Sequence, residues 1–94
     1  MFEVFGFYKF KKLTSLKNNK ILLHDFLVKK NIRGTVIIAK EGVNATISGK
    51  AIDLKLAISK IKKILDFKKF DSKNSSKSKF QPFHKVKIKI KKEV

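Results

Sequence analysis

Gly34-Thr-Val-Ile-Ile-Ala-Lys-Glu-Gly-Val-Asn-Ala-Thr-Ile-Ser-Gly49 holds three of the chain's four glycines and decides the fold. Thr35 to Ala39 is β-branched and apolar, the composition of a buried strand. Asn44 to Ser48 reads as a second, shorter strand. Between them Glu41-Gly42 marks a turn, because glycine accepts a positive φ without steric cost. A lysine-rich helical pattern lies on each side. A hairpin between two helices is the centre of a βαββαβ order.

Working outward, Phe2 to Phe10 is rich in aromatics and reads as the first strand. Val4, Gly6 and Tyr8 share one of its faces, and Phe5, Phe7 and Lys9 the other. Thr14 or Ser15 is placed to cap a helix. Leu16, Leu23, Phe26 and Leu27 give that helix an apolar stripe, which Ile21 and Leu22 widen. Asn31 suits its C-terminal stop. After Gly49 a second helix starts near Lys50 or Ala51, with Leu54, Ala57, Ile58, Ile61 and Leu65 on one face and Asp53 in its first turn. Phe67 to Phe70 reads as the start of a short strand. Asp71 to Lys79 is polar and turn-forming, so a mobile loop is expected there. From Lys85 to Lys91 lysines alternate with Val86, Ile88 and Ile90, the pattern of a half-buried strand. Together these elements predict one α+β domain over residues 1–94. It is a ferredoxin-like sandwich with two helices on one face of a four- or five-stranded antiparallel sheet.

Composition narrows the function. Ninety-four residues suffice for one core, burying roughly 60–70% of the unfolded surface. The absence of cysteine excludes disulfides, a thiol nucleophile and a Cys-based zinc site. No apolar run reaches the roughly 18 residues of a membrane span, and no signal peptide precedes the first strand, so a cytoplasmic protein is expected. The net charge of +17 favours a polyanionic partner. The competing explanation is coding bias: every basic residue except Arg33 is lysine, alongside many Ile, Asn and Phe.

Two blocks carry a family resemblance. The first is Gly34-Thr35, Ile38-Ala39, Glu41-Gly42-Val43-Asn44, Thr46, Gly49 and Ile52. The second is Gln81-Pro82-Phe83, Lys85-Val86-Lys87 and Lys91-Lys92-Glu93-Val94. In order and spacing they resemble the N-terminal domain of the rhodanese-related tRNA uridine hydroxylase family. Ala45 departs from that pattern, which usually has glycine there, and so does His84, where a basic residue is common. The resemblance implies an acylphosphatase-like, ferredoxin-like domain followed by a rhodanese domain that holds the catalytic cysteine. It implies an oxidoreductase forming 5-hydroxyuridine at the tRNA wobble position with oxygen. On that reading the chain is an excised domain, or the product of a truncated or split gene. It is an accessory domain that holds the tRNA anticodon arm, with a rhodanese domain in cis or in trans, and is not catalytic alone. The alternative is a module that docks the rhodanese domain through Phe5 and Phe7 without touching RNA.

The candidate RNA contacts are Lys40, Asn44, Lys85, Lys87, Lys89 and Lys91. The last four form a ladder with steps of roughly 7 Å on one strand face, close to a phosphate repeat. An exposed strand kept soluble by lysine gives the same pattern. Lys40 suits a phosphate and Asn44 a base edge or ribose hydroxyl, although a purely structural role in the turn is the favoured reading for Asn44, as for Gly42. Base stacking of the RNA-recognition-motif type is disfavoured, since Ala45 to Ser48 has no aromatic. Acylphosphatase chemistry is disfavoured too. The loop Phe10 to Ser15 has neither glycine nor arginine for an anion cradle. His24 and Asp25 are adjacent on a helix and do not face each other, and His84 has no evident partner. No catalytic residue, metal site or cofactor is expected.

Overall fold

The computed structural model describes residues 1–94. Seven elements follow in the order β1 (Phe2–Phe10), α1 (Leu16–Lys29), β2 (Arg33–Ala39), β3 (Gly42–Lys50), α2 (Ala51–Leu65), β4 (Ser72–Ser78) and β5 (Val86–Ile90). The strands form one sheet in the order β4-β1-β3-β2-β5. The first four of them pair antiparallel. β5 joins β2 in parallel, so the sheet is mixed rather than wholly antiparallel. Both helices pack on the same face. No helix is long and apolar enough to cross a membrane.

The helix-facing core is built from alternate strand residues. Phe7, Val36, Ile38, Val43, Ala45, Ile47 and Ile88 meet Leu23 and Leu27 of α1 and Leu54, Ala57, Ile61 and Leu65 of α2. The α2 stripe is as the periodicity predicts, with Ile58 partly buried beside it. α1 buries only Leu23 and Leu27, with Leu16 and Phe26 partly buried. Ile21 and Leu22 do not widen its stripe; they are 58% and 45% exposed, on the outer side. Ser15 stands at the N-cap, but its left-handed backbone (φ 51°) directs no side-chain bond to the helix. Asn31 ends the helix region with φ 53°, as its sequence position suggests.

Three further expectations are corrected. The two turn residues are Lys40 and Glu41, and β3 starts at Gly42, so the second strand of the hairpin has nine residues. Phe67 to Phe70 is not strand. Its two phenylalanines fold under the sheet, where the Phe70 ring lies 4.5 Å from Phe7 and 5.4 Å from Phe5. The stretch expected as a loop is mostly β4, an edge strand registered against β1 from Tyr8↔Ser72 to Phe2↔Ser78. An edge strand exposed on both faces needs no apolar alternation, because β1 supplies its hydrogen bonds.

Gly42 lies where the hairpin meets β1. Its φ is 153°, and a Cβ there would stand 2.1 Å from the Lys9 carbonyl oxygen. Neither backbone can yield without breaking the Phe10↔Gly42 register. Gly42→Ala should therefore cost about 2–3 kcal/mol. Gly6→Ala meets only the mobile end of Asn74 at 2.8 Å and should cost less than about 1 kcal/mol. Urea midpoints at unchanged slope would separate the two, and equal midpoints would contradict the close-approach argument. Ile61→Ala, at a fully buried α2 position, should cost about 2–5 kcal/mol in the same measurement.

Candidate nucleic-acid interface

The second face of the sheet carries no helix. Strand alternation and the register decide what it displays. One row across the sheet runs Ser72, Tyr8, Asn44, Ile37, Lys89. The next runs Asn74, Gly6, Thr46, Thr35, Lys87. A third holds Ser76, Val4, Ser48 and Arg33. Lys50 and Phe10 occupy further positions of the same parity. None of these positions holds a carboxylate. Asp71, nearest to β1, pairs with Lys9 on the opposite face at 3.6 Å and accepts a bond from the Phe10 amide at 2.6 Å.

One end of this face is covered. The segment between β4 and β5 crosses it, and three side-chain hydrogen bonds tie it to Asn31, β2 and β3. Ser48, buried and polar, donates through Oγ to Gln81 Oε1. Gln81 Nε2 donates to the Asn31 carbonyl and Arg33 Nη1 to the Phe83 carbonyl, each at 3.3 Å. The chain's single arginine is thus a latch for the Gln81-Pro82-Phe83 segment. The other end, around Tyr8, Phe10, Asn44 and Lys89, is open.

The six candidate residues do not form one cluster. Lys87 and Lys89 lie on the open face within β5, exposed, in register with Thr35 and Ile37. Lys85 and Lys91 are exposed and flank β5 just outside its ends. The Lys85 carbonyl accepts from the Gly34 amide, and the Lys91 amide donates to the Ile38 carbonyl. Asn44 is on the open face beside Tyr8. It is exposed and its side chain bonds no turn amide, and the structural part played by Gly42 is its close approach to the Lys9 carbonyl of β1. Lys40 is apart, in the hairpin turn. It lines a cleft of about 810 Å³ with Lys12, Leu13, Leu16, Lys17 and Ile90.

Reading the sequence missed Phe10, which is 59% exposed and packs edge-on against Tyr8 at 5.3 Å. Its parity with Tyr8 along the strand was the available signal. Phe5 and Phe7 lie on the helix side. Phe7 is buried and Phe5 packs against the core, so neither is free to dock a neighbouring domain. The loop from Phe10 to Ser15 gives its Lys11 and Leu13 amides to the carbonyls of Glu41 and Lys40, at 2.9 and 2.8 Å. Those two amides are therefore not available to cradle an anion.

Among solved structures, an acylphosphatase from Bacillus subtilis superposes with a TM-score of 0.64 at 14% identity, covering 94% of this chain and 98% of that one. Full-length HypF in its phosphate- and nucleotide-bound form superposes with a TM-score of 0.66 at 16% identity, over 96% of this chain and 12% of that one. At such identities the likeness concerns the fold. In sequence, the tRNA uridine(34) hydroxylase of Pelagibacter ubique (strain HTCC1062) is 83% identical over 94 residues, or 100% of this chain and 31% of that protein. The enzyme of that name from Ehrlichia ruminantium (strain Welgevonden) is 34% identical over 99 residues, or 99% of this chain and 34% of that protein. The chain thus spans about a third of the length of these relatives. The UPF0176 acylphosphatase like domain matches residues 2–94, and the chain belongs to that family.

Proposed function

We propose that this domain holds tRNA, by its anticodon arm, for a wobble-uridine hydroxylase whose chemistry resides in a rhodanese domain acting in cis or in trans in the cytoplasm. The observation that carries the reading is a carboxylate-free sheet face bearing Lys87 and Lys89 on a chain 83% identical to part of a tRNA uridine(34) hydroxylase. Lysine neutralises phosphates as a point charge and does not read bases bidentately. The face would therefore supply affinity and position, and the hydroxylation of uridine would lie outside it. Lys85 and Lys91 extend the same line beyond the ends of β5, and Lys40 would meet the backbone from the turn.

tRNA binding at two salt concentrations tests this, comparing the wild type with Lys87→Glu plus Lys89→Glu. Loss of two phosphate contacts should weaken binding at least about tenfold in dilute salt and flatten the log–log salt dependence by about 1.4. Both side chains are exposed on β5, so the double variant should keep the wild-type urea midpoint. Equal affinity and equal slope for the two proteins would overturn the reading in favour of a docking module that does not contact RNA.

A further inference from the structure

We infer that the open face contains a niche for one unpaired nucleobase, floored by Gly6 and walled by Tyr8, Asn44, Thr46 and Asn74. The inference rests on the reading that this face meets RNA, and adds that it recognises single-stranded bases as well as phosphates. Gly6 is in the interior of β1, between Asn74 of β4 and Thr46 of β3. A glycine inside a strand marks a place where something approaches the backbone closely. Without a side chain there, the sheet surface dips into an open cavity of about 270 Å³, and the Asn74 side-chain oxygen overhangs its floor, 2.8 Å from where a Gly6 Cβ would stand. That volume is just under the roughly 300 Å³ at which small-molecule pockets begin. It has room for a single base and not for a base pair.

The walls have the chemistry a base requires. Tyr8 is 40% exposed on the same face, one row from Gly6, and Phe10 braces its ring at 5.3 Å. A braced, half-exposed ring gives a base a stacking surface with little side-chain freedom to lose. The Asn44 and Asn74 amides and the Thr46 hydroxyl border the niche, and none of them makes a hydrogen bond within the chain. Each amide offers a donor beside an acceptor, the arrangement needed along a Watson–Crick edge. Lys89 lies in the Tyr8 row and Lys87 in the Gly6 row, two strands beyond Asn44 and Thr46. A backbone held by these lysines would have its bases directed across the sheet toward the niche. Stacking here needs one aromatic and a recess. It differs from the two-strand aromatic platform that the Ala45 to Ser48 sequence excludes.

The test compares a short oligouridylate with an abasic chain of the same length, on the wild type, Tyr8→Leu, Gly6→Val and Lys87→Glu plus Lys89→Glu. Tyr8 is the only tyrosine, so its ring resonances report on the niche alone. The wild type should prefer the base-bearing chain roughly tenfold, and the Tyr8 resonances should move on binding. Tyr8→Leu removes the ring and Gly6→Val fills the floor. Either should abolish the preference while leaving abasic binding and its salt dependence unchanged. The lysine variant should weaken both ligands and keep the preference. Equal wild-type affinity for the two chains, or unmoved Tyr8 resonances, overturns the niche and leaves phosphate tracking in place. Binding of neither chain in dilute salt overturns the niche and the RNA reading together. The wild-type comparison decides the matter even if a variant fails to fold.

Discussion

The pairing of β1 with β3 is the constraint on which both faces of the molecule depend. From Phe2↔Lys50 to Phe10↔Gly42 the register is continuous, and these two strands are the centre of the sheet. Strand side chains alternate with period two, so a slip of one residue would exchange the faces. Phe7 would then leave the core for the open face, and Tyr8 would enter the core beside Val43 or Ala45. Two features oppose a slip. Gly42 admits the Lys9 carbonyl where any other residue would collide with it. The Phe5, Phe7, Phe67 and Phe70 rings interlock below the sheet, with centroids 4.5 to 5.8 Å apart. The order that builds the apolar core therefore also lays out the polar surface opposite.

Charge follows a different logic from packing. Only two ion pairs form, Lys9 with Asp71 and Lys11 with Asp66, against 24 basic residues. Most lysines are therefore left unneutralised, and their mutual repulsion is tolerable only because they are solvated and screened. Both sheet edges benefit. β4 is polar throughout and β5 carries outward lysines, which discourages pairing with another chain. Edge protection alone would explain lysine on β5. It would not explain why a half-exposed tyrosine, two unbonded side-chain amides and a recess lie on the same face, two to four strands away.

What the sequence revealed depended on where each signal was stored. The α2 stripe and the β5 alternation are local patterns, and both elements form where the residues predict. The hairpin was legible from its glycines, with the turn displaced by one residue because Gly42 serves the contact with β1 rather than the turn itself. β4 was illegible, since Ser72 to Ser78 owes its conformation to hydrogen bonds from β1 and to nothing in its own composition. The parallel pairing of β5 with β2 was equally hidden, because alternation fixes which residues face inward and not the direction of the neighbour. At the site, the lysine ladder could be read directly. The partnership of Tyr8 with Phe10, and of Gly6 with Asn74, required knowing which strands lie side by side.

The fold also shows why its surface should be read residue by residue. Acylphosphatases share this architecture at 7–14% identity, and a shared fold at that distance carries no activity with it. Here the loop after β1 has two amides bound to the Lys40 and Glu41 carbonyls, and the only arginine is bonded to the Phe83 carbonyl at the far end of the sheet. Two of that loop's amides and the one guanidinium are thus engaged in holding the turn and the crossing segment. Asn44, Thr46 and Asn74 on the helix-free face, by contrast, keep their side-chain polar groups free of partners within the chain. A site is built from polar groups that folding leaves accessible, and around Gly6 three of them border one recess beside a half-exposed ring.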